Sequence, residues 1–193
     1  MNTATGPSRP PTALELLERA IAYTRGSLLL VTEADLDRPT PCREWRLLDL
    51  LRHMDDSLLA FAEAAQARTL SLVRADNDAV GSELIDTISR RACGLLSHWH
   101  PEPVGGVAVG GFTVPRELLG AAGALEITVH GWDVATAVGV DRPIPPGLAM
   151  DLWPVARDHV TDDDRPEPFG PALVVPDWAS PQERLLAHAG RRA

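Results

Sequence analysis

Apolar residues recur at intervals of three and four in four long stretches of this chain. The last stretch carries them at Leu118, Ala122, Leu125, Val129, Trp132 and Thr136. This spacing turns one face of each stretch toward a core and predicts amphipathic α-helices. Four such helices, joined by connections of unequal length, predict an all-α fold: an antiparallel four-helix bundle whose core can host a metal between facing helices.

Capping residues and prolines set the predicted helix boundaries. The first helix is expected over residues 12–31, because Thr12 and Glu15 fit a capping box. The second starts just after the turn forced by Pro39 and Pro41. The third ends near residues 98–101, and the fourth runs over residues 115–138.

Shorter elements are predicted around these helices. Residues 104–114 favour a hairpin or an irregular loop, and residues 69–78 a polar connection. A fifth helix is expected over residues 148–160, bent or shortened by Pro154, and a last one follows Ser180. The predicted organisation is a flexible lead-in (1–11), a four-helix bundle (12–138), for which the family resemblance given below implies metal binding, and a C-terminal helix and tail packed on the bundle (139–193).

Composition narrows the class of protein. The 193 residues carry a formal net charge of −9, and their basic residues form no stripe that could bind a nucleic-acid backbone. Nucleic acid is therefore not expected as a partner. Two cysteines rule out a disulfide framework, and the polar first residues predict a cytoplasmic protein. No apolar run is long enough for a membrane span. Small molecules are the expected partners. The chain is expected to be a monomer or a homodimer.

Glu126 and His130 lie four residues apart, so their side chains share one helix face, one turn apart. At the edge of the apolar stripe, a half-buried acid and an imidazole need a partner. Spacing alone favours a hydrogen bond between the two side chains, whereas a divalent metal would also satisfy both. The same alternatives stay open for His53, at the margin of the second helix. His98 and His100 are interpreted as surface residues, and Cys42 as a small cysteine in a tight turn rather than a nucleophile.

Two separated motifs resemble a known family. Thr-Pro-Cys at 40–42, Trp45, and the segment from Asp49 to His53 are similar to the Thr-Pro-Cys-x-x-Trp…Asp-Leu-x-x-His signature of the DinB-like superfamily. The resemblance is to its branch related to mycothiol-dependent maleylpyruvate isomerase. Glu126-x-x-x-His130-x-x-Asp133 resembles the second half of that signature. Residues 175–186 are similar to the tail of uncharacterised metal-binding proteins of this branch.

The resemblance implies that His53, Glu126 and His130 are the protein ligands of one divalent metal, most often zinc, with Ni²⁺, Fe²⁺ and Mn²⁺ as alternatives. Two nitrogens and one oxygen leave a coordination position for water or a substrate thiol. Asp133 is expected to accept a hydrogen bond from the other ring nitrogen of His130. Asp49 is expected to do the same for His53.

The same resemblance implies a thiol-dependent transferase or isomerase that acts on a small electrophile, with mycothiol as cosubstrate. The 55 residues after Val138 (193 minus 138) are too few for the additional mixed α/β domain of the isomerase, so that specific activity is not expected. The alternative is a non-catalytic metal-binding stress-response or interaction module. Serine hydrolases and zinc proteases are disfavoured, because neither Gly-x-Ser-x-Gly nor His-Glu-x-x-His occurs.

Overall fold

The computed structural model describes residues 9–42, 44–67, 69–70, 79–99, 106–109, 111–165 and 169–193. Within them the chain forms six α-helices: α1 (Ala13–Leu28), α2 (Leu47–Ala67), α3 (Gly81–His98), α4 (Arg116–Ala137), α5 (Pro146–His159) and α6 (Pro181–His188). The same residues form a small sheet of β1 (Thr69–Leu70), β2 (Gly106–Val109) and β3 (Phe112–Pro115). The mostly helical architecture confirms the all-α bundle. Most of the predicted lead-in, His100 and Pro101 lie outside the described residues.

Helix α1 begins as its capping box predicts. The Thr12 hydroxyl accepts from the backbone N–H of Glu15, and the Glu15 carboxylate accepts from that of Thr12. The helix ends at Leu28, three residues before the predicted end at Val31. After Leu28 the N–H groups of Leu30 and Val31 bond three residues back, to Ser27 and Leu28, which ends the α-helical pattern. Thr32 is then extended and opens a short 3-10 helix, where Asp35 accepts from the Thr32 backbone and hydroxyl.

Helix α4 lies at the centre of the fold. It packs against α1, α2, α5 and the β2–β3 hairpin, and it is buried around most of its circumference from Leu119 to Ala135. The sequence predicted a single inward stripe that included Thr136. This was wrong, since Thr136 is exposed. Small residues such as Gly123 and Gly131 let neighbours approach α4 on several sides, so one polar and one apolar face do not develop.

The sheet confirms the hairpin alternative for part of residues 104–114. Strands β2 and β3 pair antiparallel, with Val107 opposite Val114. Strand β1 pairs parallel with β2, giving the order β1-β2-β3. The sequence had placed residues 69–70 in a polar connection, and the structure corrects this. A two-residue strand is too short to show an alternating pattern. Residues 71–78 of that connection are outside the described part of the chain.

The C-terminal elements pack on each other and on the bundle. Helix α5 contains Pro154 in its interior, as the sequence predicted, and packs against α4, α1 and α6. Helix α6 opens with the expected cap, in which Ser180 and Glu183 exchange hydrogen bonds. None of the helices in the described residues combines the length and hydropathy of a membrane span. The division of the chain at residue 138 stays a prediction.

Close contact between α1 and α4 gives a test of the fold next to the site. The Thr24 hydroxyl donates to the Ile127 carbonyl at 2.7 Å, and a Cβ on Gly131 would lie 2.3 Å from Thr24 Oγ1. We therefore expect Gly131→Ala to lower the free energy of unfolding by about 1–3 kcal/mol in urea titrations, because the packed helices must separate. Gly94→Ala, with no atom within 4 Å, is the control and should raise it by up to about 1 kcal/mol. Equal stability of the two variants would contradict this account.

Candidate metal centre

Three donor atoms from two helices converge beside the bundle core. His53 comes from α2, and Glu126 and His130 lie one turn apart on α4. His53 Nε2 is 2.7 Å from Glu126 Oε1, and His130 Nε2 is 3.1 Å from the same oxygen. The three donors all lie within 4.8 Å of one another. The structure thus brings together the residues that the family resemblance implied as ligands.

The donor set suits a divalent ion. Bonds of about 2.0–2.2 Å place the ligand atoms of one zinc roughly 3 Å apart, close to the spacings seen here. Two imidazole nitrogens and one carboxylate oxygen match zinc and its first-row neighbours. The side chains of His53 and Glu126 are 28% and 23% exposed, whereas that of His130 is 8% exposed. One side of the group therefore faces solvent, as an open coordination position requires.

Charge is concentrated in this group. Burial alone would raise the pKa of Glu126, but the charge of His130 and the hydrogen bonds of both histidines outweigh it and hold this pKa well below its usual range. Burial alone would lower the pKa of His130, yet Glu126, Asp133 and Cys42 raise it well above its usual range. The charged forms of Glu126 and His130 therefore stabilise each other, and a metal that binds His130 Nε2 requires that nitrogen without its proton.

Asp133 contacts the ring nitrogen of His130 that does not face Glu126. Its Oδ2 is 3.0 Å from His130 Nδ1, and because a carboxylate can only accept, Nδ1 donates this hydrogen bond and Nε2 is directed toward Glu126. Arg191 holds Asp133 in turn: its Nη2 donates to Oδ2 at 3.1 Å and its Nε to Oδ1 at 3.4 Å. The side chains of Arg191 and Asp133 are 5% and 0% exposed. This is a buried ion pair between α4 and the C-terminal tail.

The loop before α2 packs against the same histidine and carboxylate side chains. Thr40 accepts from the backbone N–H of Cys42 and donates to the carbonyl of Trp45, which folds the loop tightly. The Trp45 ring then lies 4.9 Å from the His53 ring and 6.5 Å from the His130 ring, between centroids. Cys42 Sγ lies 3.3 Å from Asp133 Oδ2. The Thr-Pro-Cys-x-x-Trp motif therefore packs directly on the histidine pair.

Cys42, His130 and Asp133 form a second group of donor atoms within the described residues. In this second group the positive charge is already supplied by a side chain, the guanidinium of Arg191. Arg191 Nη2 lies 3.1 Å from Cys42 Sγ and 3.1 Å from Asp133 Oδ2. Because the guanidinium already compensates the Asp133 carboxylate, the group around His53 and Glu126 is the one suited to a metal.

The structure does not bring Asp49 to His53. Asp49 is exposed at the start of α2, where it accepts from the backbone N–H of Arg46 at 3.0 Å. Ser57 is a neighbour of His53 to which the sequence analysis assigned no part in the site. Its hydroxyl lies 3.4 Å from Glu126 Oε1 and 3.5 Å from His53 Nε2. Ser57 follows His53 by one helical turn, so the spacing was the signal that could have identified it. His98 is exposed, as expected.

A family model of known proteins matches most of the helical bundle. Residues 17–135 match the family model described as the mycothiol maleylpyruvate isomerase N-terminal domain. The chain belongs to this family. The matched range contains His53, Glu126, His130 and Asp133, but it ends well before Arg191. Membership confirms the DinB-like resemblance that the two motifs indicated.

Two relatives extend the similarity beyond the matched range. The uncharacterized proteins MT0763 and Rv0738 of Mycobacterium tuberculosis (strains CDC 1551 / Oshkosh and ATCC 25618 / H37Rv) are each 26% identical over 171 residues. Each alignment covers 86% of this chain and 90% of the relative. No solved structure matches the chain.

Proposed function

We propose that this family member binds one divalent metal through His53 Nε2, Glu126 Oε1 and His130 Nε2, with Zn²⁺ as the first candidate. We further propose that it is a thiol-dependent transferase or isomerase for a small electrophile. The observation that carries the proposal is the convergence of two imidazole nitrogens and one carboxylate oxygen, with one solvent-facing side. Membership of the mycothiol maleylpyruvate isomerase N-terminal domain family makes mycothiol the candidate thiol.

Each neighbouring residue has a part in such a site. A metal held here would supply a Lewis acid that favours the thiolate form of an added thiol at neutral pH. His130 keeps its Nε2 directed at the site because Asp133 accepts from its Nδ1. Ser57 donates toward Glu126 Oε1 and restrains the carboxylate. Trp45 shields the two imidazoles on one side and limits access of water.

The proposed reaction is addition of the thiol to an activated carbon–carbon double bond. The sulfur lone pair forms the S–C bond while the π electrons move toward the activating group. The proton lost from sulfur is returned at the neighbouring carbon through water. Rotation about the former double bond, followed by removal of a proton from the neighbouring carbon and cleavage of the S–C bond with return of that proton to the thiol through water, would give the isomerised double bond. Release of the adduct with the S–C bond intact would complete a transfer.

Cobalt substitution tests the proposal directly. The Co²⁺-loaded protein should develop an intense sulfur-to-cobalt charge-transfer band in the near ultraviolet when mycothiol or N-acetylcysteine is added. Glu126→Gln should weaken cobalt binding at least tenfold, because an anionic ligand is lost. Glu83→Gln, an exposed position in the first turn of α3, is the matched control and should leave the titration unchanged.

The alternative function makes the opposite prediction. A non-catalytic metal-binding module would keep the cobalt spectrum of the bound ion and its loss in Glu126→Gln, but it would show no thiolate band with any thiol. Full cobalt occupancy without such a band would therefore contradict the thiol-dependent enzyme and favour the binding module.

A further inference from the structure

Ser57 brings a fourth polar atom to the candidate metal centre. Its Oγ lies 3.4 Å from Glu126 Oε1 and 3.5 Å from His53 Nε2. Both distances exceed the roughly 3 Å typical of protein hydrogen bonds, so either side chain engages the hydroxyl only weakly. They are close instead to the roughly 3–3.5 Å that separates neighbouring ligand atoms around one tetrahedral zinc ion.

The two helices that build the centre account for this position. Ser57 follows His53 by one turn on α2, as His130 follows Glu126 by one turn on α4. Each pair therefore presents two side chains on one helix face. Because α2 and α4 pack against each other, the two pairs bring two nitrogens and two oxygens into one region.

The Ser57 hydroxyl is not used by the backbone. A serine inside a helix commonly donates to the carbonyl four residues before it, which here is that of His53. Among the residues that the structure describes, Ser57 makes no such bond, and its Oγ contacts the side chains of His53 and Glu126 instead. One donor hydrogen and two lone pairs thus remain within reach of the candidate ligand atoms.

We propose that Ser57 Oγ is a fourth ligand of the divalent metal, and that the incoming thiol replaces it. This inference rests on the proposed function and adds a ligand exchange at the same site. A hydroxyl oxygen can bind a divalent cation, as the serine or threonine of phosphate-binding loops does for Mg²⁺. This oxygen is uncharged, so a divalent ion with Glu126 and neutral histidines keeps a net positive charge. A thiolate neutralises that charge and is a softer donor, so it should displace the hydroxyl.

Ser57→Ala tests the exchange from both sides. The variant should bind Co²⁺ about tenfold more weakly than wild type, because one ligand is lost. It should also bind N-acetylcysteine more tightly, by up to about the same factor, since the thiol no longer competes with the hydroxyl. A purely structural role for Ser57 would not move the two affinities in opposite directions. Ser82→Ala, at an exposed serine of α3, is the matched control.

Ser57→Cys tests whether this position reaches the metal. Its sulfur should bind Co²⁺ as a thiolate, release its proton to water, and give the sulfur-to-cobalt charge-transfer band without any added thiol. Wild type contains the free cysteines Cys42 and Cys93, so its own spectrum without thiol is the blank. Ser82→Cys should give the same spectrum as wild type.

Full cobalt occupancy of Ser57→Cys without this band would overturn the fourth ligand. Cobalt and thiol affinities of Ser57→Ala that equal those of wild type, or that fall together, would also overturn it, and they decide if Ser57→Cys does not fold. The band that wild type develops with added thiol would then still support the proposed function. A band in Ser57→Cys, with none in wild type for any added thiol, would keep the fourth ligand and overturn the thiol-dependent enzyme.

Discussion

Replacing His130 with alanine is expected to abolish binding of the proposed metal and the stabilisation that this metal would give the folded chain. His130 provides one of three donors and is the most buried of them. A ligand at a hundred times its dissociation constant stabilises the folded state by about 2.7 kcal/mol, and the variant should lose this contribution. Metal content by mass spectrometry and thermal unfolding with and without a chelator measure the two effects.

The response to the chelator isolates the metal from other consequences of the substitution. His130→Ala also removes a hydrogen bond to Asp133, so its unfolding temperature alone is not decisive. Wild type should unfold at a lower temperature after chelation, and His130→Ala should not respond. His98→Ala, at an exposed histidine of α3, should behave as wild type. If His98→Ala loses the metal while His130→Ala retains it, the wrong histidines have been assigned.

Arg191→Gln is expected to destabilise the chain by about 3–5 kcal/mol, because it leaves the buried carboxylate of Asp133 without its cation. Burial alone would raise the pKa of Asp133, but the hydrogen bond from His130 and the charge of Arg191 lower it. The carboxylate therefore contributes stability above its ordinary pKa, and this contribution is lost as the pH falls through the lowered value. The gap between variant and wild type should narrow in acid.

The neighbouring arginine supplies the control for this prediction. Arg192 is exposed, so Arg192→Gln changes the net charge equally without touching Asp133, and its effect should stay within about 0.5 kcal/mol. Urea titration of the metal-free proteins measures the difference. Arg191→Gln should also weaken metal binding by about ten- to a hundredfold, since Asp133 orients His130. Identical urea midpoints for the two variants would refute the role given to the ion pair.

Motif and spacing predicted much of the candidate site, and the structure shows why they could not predict the contact of Arg191 with it. Glu126 and His130 share a helix face, so their four-residue spacing indicates a pair directly, whereas His53 was implied by the family signature. Arg191 could not be predicted in this way, because it lies 58 residues after Asp133 on a tail without periodicity. Its contact depends on how α5 and α6 return the chain to α4, which is decided by packing.

For the fold as well, features set by local contacts were predicted from the sequence, whereas features set by contacts between distant segments were not. Capping boxes predicted where α1 and α6 begin, since their hydrogen bonds span only three residues, and Pro115, with its fixed φ, predicted the start of α4. The all-round burial of α4 and the pairing of β1 with β2 were missed. Both arise from neighbours distant in sequence, which an apolar pattern within one segment does not specify.

The placement of His53 and Glu126 on different helices has a consequence for the lifetime of the protein. They are 73 residues apart, so one ion bound to both would close a long loop in the manner of a removable cross-link. Because the ion would leave the unfolded chain, its stabilisation of the folded state would fall by about 1.4 kcal/mol for each tenfold drop in free metal above the dissociation constant. Proteases act on opened chains, and a cell that withdraws the metal would hasten turnover of this protein without altering its synthesis.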